Sequence, residues 1–178
     1  MTINALFSRY FILFFLCFSV ALRTTESTPE NRLFFAQLVT QLNIVGTQAT
    51  AANKLFDQSN QEPSNNQLLE KWSKEFDKVM KAQNKVIESI KSNQSIIDYQ
   101  TTEDKSTLLT LAASFGLIET TVCLVQLRAN PNLTNKDNKT ALEIAIAASW
   151  QCKNQEENDF AACARIIMNA YAHRAKSD

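Results

Sequence analysis

Glycine and proline are almost missing from this chain, with two and three copies in 178 residues. Folds rich in β-turns spend these residues on the turns, so the scarcity excludes a turn-dense sandwich or barrel. It favours helices with short polar connections. An excess of either charge is missing too: 18 Lys and Arg balance 18 Asp and Glu. No global field draws such a chain to nucleic acid or to an acidic lipid surface. Beyond the N-terminal Cys17 the cysteines are Cys123, Cys152 and Cys163, and the single histidine is His173. Those spacings lack the paired ligands of a zinc site, so no metal is expected. There is also no glycine-rich phosphate loop and no clustered acid pair, so no cofactor and no enzymatic activity are expected. Cys163 and His173 could be imagined as nucleophile and base, but ten residues of helix would hold them about 15 Å apart.

The N-terminus carries a different pattern. Arg9 precedes the apolar residues 10–22, and polar residues 23–27 follow. The run is shorter than the roughly 20 residues needed to cross a hydrocarbon core, and Ser19 and Ala21 place small residues at −3 and −1 of a cut after Ala21. Residues 1–21 therefore have the layout of a signal peptide, and the mature chain is expected to be secreted or periplasmic. The other reading is an uncleaved N-terminal anchor, and only then would the chain contact a membrane.

Thr28-Pro29-Glu30 supplies a cap, a first-turn proline and an acid at the positive end of the dipole, so a helix should begin there. Phe35, Leu38, Leu42, Val45, Ala49, Ala52 and Phe56 follow at steps of three and four and form one seam. Gly46 interrupts it at a cost of about 1 kcal/mol. Residues 57–64, with Pro63, have the composition of a loop. Ser64-Asn-Asn-Gln67 has capping-box form, and Leu69, Trp72, Phe76, Val79, Gln83, Val86 and Ile90 repeat the seam. Two seamed helices with a short loop should fold as an antiparallel hairpin over residues 28–98, because each can bury its stripe only against a partner.

From residue 104 the chain compares with itself. Thr107-Leu-Leu-Thr-Leu-Ala112 matches Thr140-Ala-Leu-Glu-Ile-Ala145 thirty-three residues later. Gly116 and Glu119 sit where ankyrin repeats place the turn glycine and the acid opening the second helix, and Ala129-Asn-Pro-Asn132 resembles their closing segment. Residues 104–174 thus resemble two ankyrin repeats, with Thr107 and Thr140 at the signature threonine, Leu109 and Leu142 at its leucine, and Ala112 and Ala145 at its alanine. Leu108 and Ala141 replace the family proline, Thr110 and Glu143 its histidine, and Lys105 and Asn138 a glycine. Ala129 matches Ala172 at a longer offset, so the second repeat carries an insertion at about 149–159. Family insertions often fall on a binding face, which makes Trp150 a candidate contact. The other reading packs it over the hairpin or last helix. In an oxidising compartment, Cys152 and Cys163 could staple that insertion to the last helix.

The expected fold is all-α: an antiparallel long-helix hairpin packed on a short ankyrin-repeat helical solenoid, the hairpin covering the first repeat. The resemblance implies an exported or membrane-tethered protein–protein interaction module, which an effector delivered by a host-associated microbe would also fit. Its contacts with another protein would lie at Asp104, Lys105, Lys136 and Asn138 on the turns and at Thr110, Ser114, Glu143 and Ala147 on the inner helices. Two further classes stay open: a structural protein that self-associates through its hairpin as a coiled coil, and an enzyme built on Cys163.

Overall fold

The computed structural model describes residues 28–62, 65–152 and 158–174. The signal-peptide and anchor expectations, Pro63, Ser64 and the middle of the expected insertion lie outside the described residues. The described residues are all-helical, with six α-helices and no named strand. None of these helices is long and apolar enough to cross a membrane.

Helix α1 spans Pro29–Gln61, and Thr28 caps it as expected, accepting from Asn31 N at 3.2 Å. The polar stretch after Asp57, expected as a loop, continues helical to Gln61. There the Ser59 hydroxyl donates to the Phe56 carbonyl at 2.8 Å, which absorbs a polar side chain within the helix. Helix α2 spans Asn66–Ser92. Its cap is Asn65 rather than Ser64, with Oδ1 accepting from Leu68 N at 3.4 Å. Asn93 Nδ2 donates to Asn31 Oδ1 at 3.1 Å at one end of the pair. At the other, the Phe56 and Trp72 rings lie 5.1 Å apart, so the helices run in opposite directions. Phe35, Leu38, Leu42 and Val45 on α1 and Val79, Val86 and Ile90 on α2 are buried, as their spacing requires. The seams do not close along their full length. Phe56, Leu69 and Phe76 stay exposed toward the loop end, where a two-helix seam covers only one side of each side chain.

A 3₁₀ turn at Gln94–Ile96 leads on, anchored by buried Ile96 and Ile97. Four helices follow: α3 (Leu108–Phe115), α4 (Ile118–Gln126), α5 (Ala141–Gln151) and α6 (Asp159–Arg174). Gly116 ends α3 at φ 67° and lets Leu117 N reach back to Ala112 O at 2.9 Å, the left-handed turn expected of this glycine. Helix α3 packs on α4 and α5 on α6; α5 lies on α3 and α6 on α4; α1 meets α3 and α2 meets α4. Leu108, Leu109, Leu124 and Ile167 fill the spaces between them and are fully buried.

Gly46 sets the distance between α1 and α3. A Cβ at this position would fall 2.1 Å from Phe115 Cγ, inside any real contact distance. The glycine that local propensity counts as a defect is the notch that admits an aromatic ring. Gly46→Ala should therefore destabilise the protein by about 1–2 kcal/mol, because overpacking outweighs the roughly 1 kcal/mol gained in helix propensity. Urea unfolding measures it, and a more stable variant would contradict the close approach.

Candidate functional site

Two turns precede α3 and α5, and each holds a non-glycine residue in the left-handed region: Lys105 at φ 54° and Asn138 at φ 56°. These are the two positions where the resemblance calls for glycine. In the first turn Thr101 N donates to Ser106 O at 2.9 Å; in the second Asn135 N donates to Lys139 O at 3.0 Å, and Thr134 and Thr140 form an isolated β-bridge. The turns lie side by side, since Lys136 N donates to Asp104 O at 2.7 Å and Gln100 Nε2 to Thr134 O at 2.9 Å. The Asp104 carboxylate accepts from the Thr101 hydroxyl and from Ser106 N. Burial pushes its pKa up, but these hydrogen bonds outweigh burial and hold it below the usual carboxylate range.

Each turn feeds a capping box. Thr107 N donates to Thr110 Oγ1 at 2.8 Å while Thr110 N donates to Thr107 Oγ1 at 3.1 Å. Thirty-three residues on, Thr140 N donates to Glu143 Oε2 at 2.8 Å and Glu143 N to Thr140 Oγ1 at 3.3 Å. The bonds from Thr140 lower the Glu143 pKa. A threonine closes the first capping box and a glutamate the second.

The expected contact residues divide accordingly. Lys105, Lys136 and Asn138 are exposed on the adjoining turns, with Asp104 partly covered beside them. Ser114, Glu143 and Ala147 are exposed on α3 and α5. Thr110 is a correction: at 2% exposure, with its hydroxyl engaged in the cap, it cannot face a partner. Trp150 is 71% exposed, so it does not pack over the hairpin or the last helix.

Cys152 and Cys163, the possible staple in an oxidising compartment, are both free thiols. Cys163 is fully buried and accepts from the Thr121 hydroxyl at 3.4 Å, whereas Cys152 donates back to Ala148 O at 3.7 Å. Burial pushes the Cys163 thiol up to about 11, against a lowering hydrogen bond from Thr121. The His173 side chain lies outside what is described. Among the described residues no group of His, Cys, Asp and Glu is placed to hold a metal ion.

Sequence reasoning missed a cleft of about 140 Å³ between α1, α2 and the starts of α4 and α6, lined by Ala52, Phe76, Val79, Phe115, Glu119 and Asp159 among others. Gln83 is buried beside it and donates to Glu119 Oε2 at 3.1 Å and to Thr120 Oγ1 at 3.2 Å. Although much of Asp159 is exposed, desolvation of its carboxyl raises its pKa, partly offset by a hydrogen bond to Asn53. Glu119 and Asp159 stand in the first turns of α4 and α6, where the helix dipole already favours an acid. The only hint in the sequence was Gln83, a polar residue on an apolar seam.

No protein-family model and no curated protein matches the chain.

Lys105→Gly should stabilise the protein by about 1 kcal/mol, because the left-handed backbone costs a side-chain-bearing residue that much; calorimetry that shows no gain would count against the strained turn. Among the described cysteines, in folded protein at neutral pH a maleimide should label Cys152 first and Cys163 last, read by mass mapping. Because the unfolded chain ionises its thiols near pH ~8.5 and Cys163 resists until much higher, stability should also fall as pH rises through that window.

Proposed function

We propose that the chain is a protein–protein interaction module, a short ankyrin-like stack of two helix–turn–helix layers covered at one end by the α1–α2 hairpin, and exported or tethered through its N-terminal segment. One observation carries this: the same backbone device recurs at thirty-three residues. A left-handed residue, a capping threonine and its box partner stand at Lys105, Thr107 and Thr110, and again at Asn138, Thr140 and Glu143. The second turn is hydrogen-bonded onto the first. Layers of this kind give a rigid surface on which the backbone is satisfied internally. The exposed side chains of Lys105, Lys136, Asn138, Ser114, Glu143, Ala147 and Trp150 then remain available to a partner. A partner surface of this type binds by shape and scattered polar contacts and needs no chemistry of its own. The protonated, enclosed thiol of Cys163 is in keeping with a structural role rather than a nucleophilic one.

A second reading, self-association through the helix pair, is favoured by the exposed Phe56, Leu69 and Phe76 at the loop end of α1 and α2.

Cross-linking of the native chain with mass spectrometry identifies the partner and the residues that touch it. Ser114→Arg combined with Lys136→Glu should then weaken that partner by about tenfold or more, equivalent to at least 1.4 kcal/mol, with the helical circular dichroism unchanged. Cross-links confined to the hairpin, or unchanged affinity in the variant, would overturn the assignment of this face.

A further inference from the structure

The cleft between α1, α2 and the starts of α4 and α6 combines three kinds of group. Ala52, Val79 and Phe115, with Phe76 and Met80 beside them, give it an apolar wall. Two carboxylates from different helices, Glu119 and Asp159, line it as well. The third group is the amide of Gln83, which is 2% exposed. The carboxylates are only partly compensated. Neither forms an ion pair with a Lys or Arg among the described residues. Their partners are neutral amides: Gln83 Nε2 donates to Glu119 at 3.1 Å, and Asn53 hydrogen-bonds Asp159. Each acid also stands in the first turn of its helix, where the dipole supplies about half a positive charge. Two full negative charges against two such halves leave about one negative charge in the cleft. In keeping with this, desolvation raises the Asp159 pKa and the Glu119 charge adds to the rise, against the Asn53 hydrogen bond. Gln83 contributes a buried acceptor. Its Nε2 uses both hydrogens, on Glu119 and on Thr120 Oγ1 at 3.2 Å, whereas Oε1 accepts from no donor among the described residues. Buried polar atoms are ordinarily hydrogen-bonded, so this oxygen points to a donor arriving from outside the chain.

We propose that this cleft binds a primary alkylammonium ion. An ammonium group has three N–H donors and no acceptor, and the cleft offers it Glu119, Asp159 and Gln83 Oε1. The methylenes attached to it take the apolar wall, and the rings of Phe76 and Phe115 favour a cation over their faces. A remaining charge of about one suits a monocation. A hard divalent ion such as calcium takes six or more oxygen ligands, which a wall of alanine, valine, methionine and phenylalanine does not supply. Size agrees with the chemistry. At about 30 Å³ for each water-sized group, a cleft of about 140 Å³ holds about five non-hydrogen atoms. That is the size of n-butylammonium, and of the side chain of a lysine. The site uses none of the turn residues assigned above to a protein partner, and it does not depend on the stack being ankyrin-like.

Methyl NMR of the full chain tests it, with n-butylammonium chloride as the probe and n-butanol as its neutral isostere, at neutral pH and constant ionic strength. The ammonium should shift the methyl signals of Ala52, Val79 and Met80 saturably, with an affinity at least about tenfold above that of the alcohol. Asp159→Asn plus Glu119→Gln should abolish that preference with the helical circular dichroism unchanged. The comparison of the two probes on the native chain needs no variant, so it decides the matter even if the double variant does not fold. A short peptide carrying one lysine separates the two sources of this chemistry. Shifts of the same methyls by the peptide would assign the cleft to a lysine of another protein; shifts by the free amine alone would assign it to a small molecule. No shift with either amine, equal affinity for n-butanol, or a folded double variant that keeps the preference would each overturn the proposal.

Discussion

Helices of eight and nine residues do not persist in water, because nucleation costs more than so few hydrogen bonds return. Helices α3 and α4 have those lengths and still hold the most deeply buried part of the molecule. Their stability comes from being sandwiched, with α1 and α2 on one side and α5 and α6 on the other. The contact that admits α1 is narrow. Phe115 reaches the backbone of α1 only because residue 46 has no side chain, so this glycine sets how closely the long helix and the short one approach. Among the described residues α5 and α6 pack on α3 and α4 and on each other, and Ile146 and Met168 stay exposed.

The polar interactions decide where this sandwich starts and stops rather than how tightly it holds. Each capping box satisfies amide groups that a short helix would otherwise leave open, and each preceding turn places its threonine by holding one residue at positive φ. Hydrogen bonds between the turns, from Lys136 N to Asp104 O and from Gln100 to Thr134 O, then tie the second layer to the first along an edge. Tyr171 on α6 donates to Pro131 O at 2.5 Å and closes the opposite edge. Polar backbone is therefore satisfied between the turns, while the side chains of Lys136 and Asn138 stay exposed. Cys163 belongs to the packing as well, answering Thr121 across the interface of α4 and α6.

Much of this was legible in residue order. The seam from Phe35 to Ala52, the Thr28 and Thr140 caps and the Gly116 turn are local: helical periodicity and side-chain hydrogen bonds three residues away need no knowledge of what packs on them. The thirty-three-residue recurrence was visible for the same reason. Where expectations failed, a distant partner was the cause. Thr110 was assigned to the surface by analogy with an exposed position, yet it is enclosed in the cap and core. Cys152 and Cys163 were a possible staple in an oxidising compartment, but in the fold the thiols face different neighbours.

By itself, then, the sequence determined that the chain is helical, where most helices begin, and that two segments repeat, because short-range hydrogen bonding and apolar periodicity settle those matters. Tertiary structure alone decided that Gly46 is a notch, that Glu119 and Asp159 share a cleft, and that Ile146, Trp150 and Met168 are left uncovered. Each of those depends on which surfaces remain after every other layer has been placed, a quantity that no window of neighbouring residues contains.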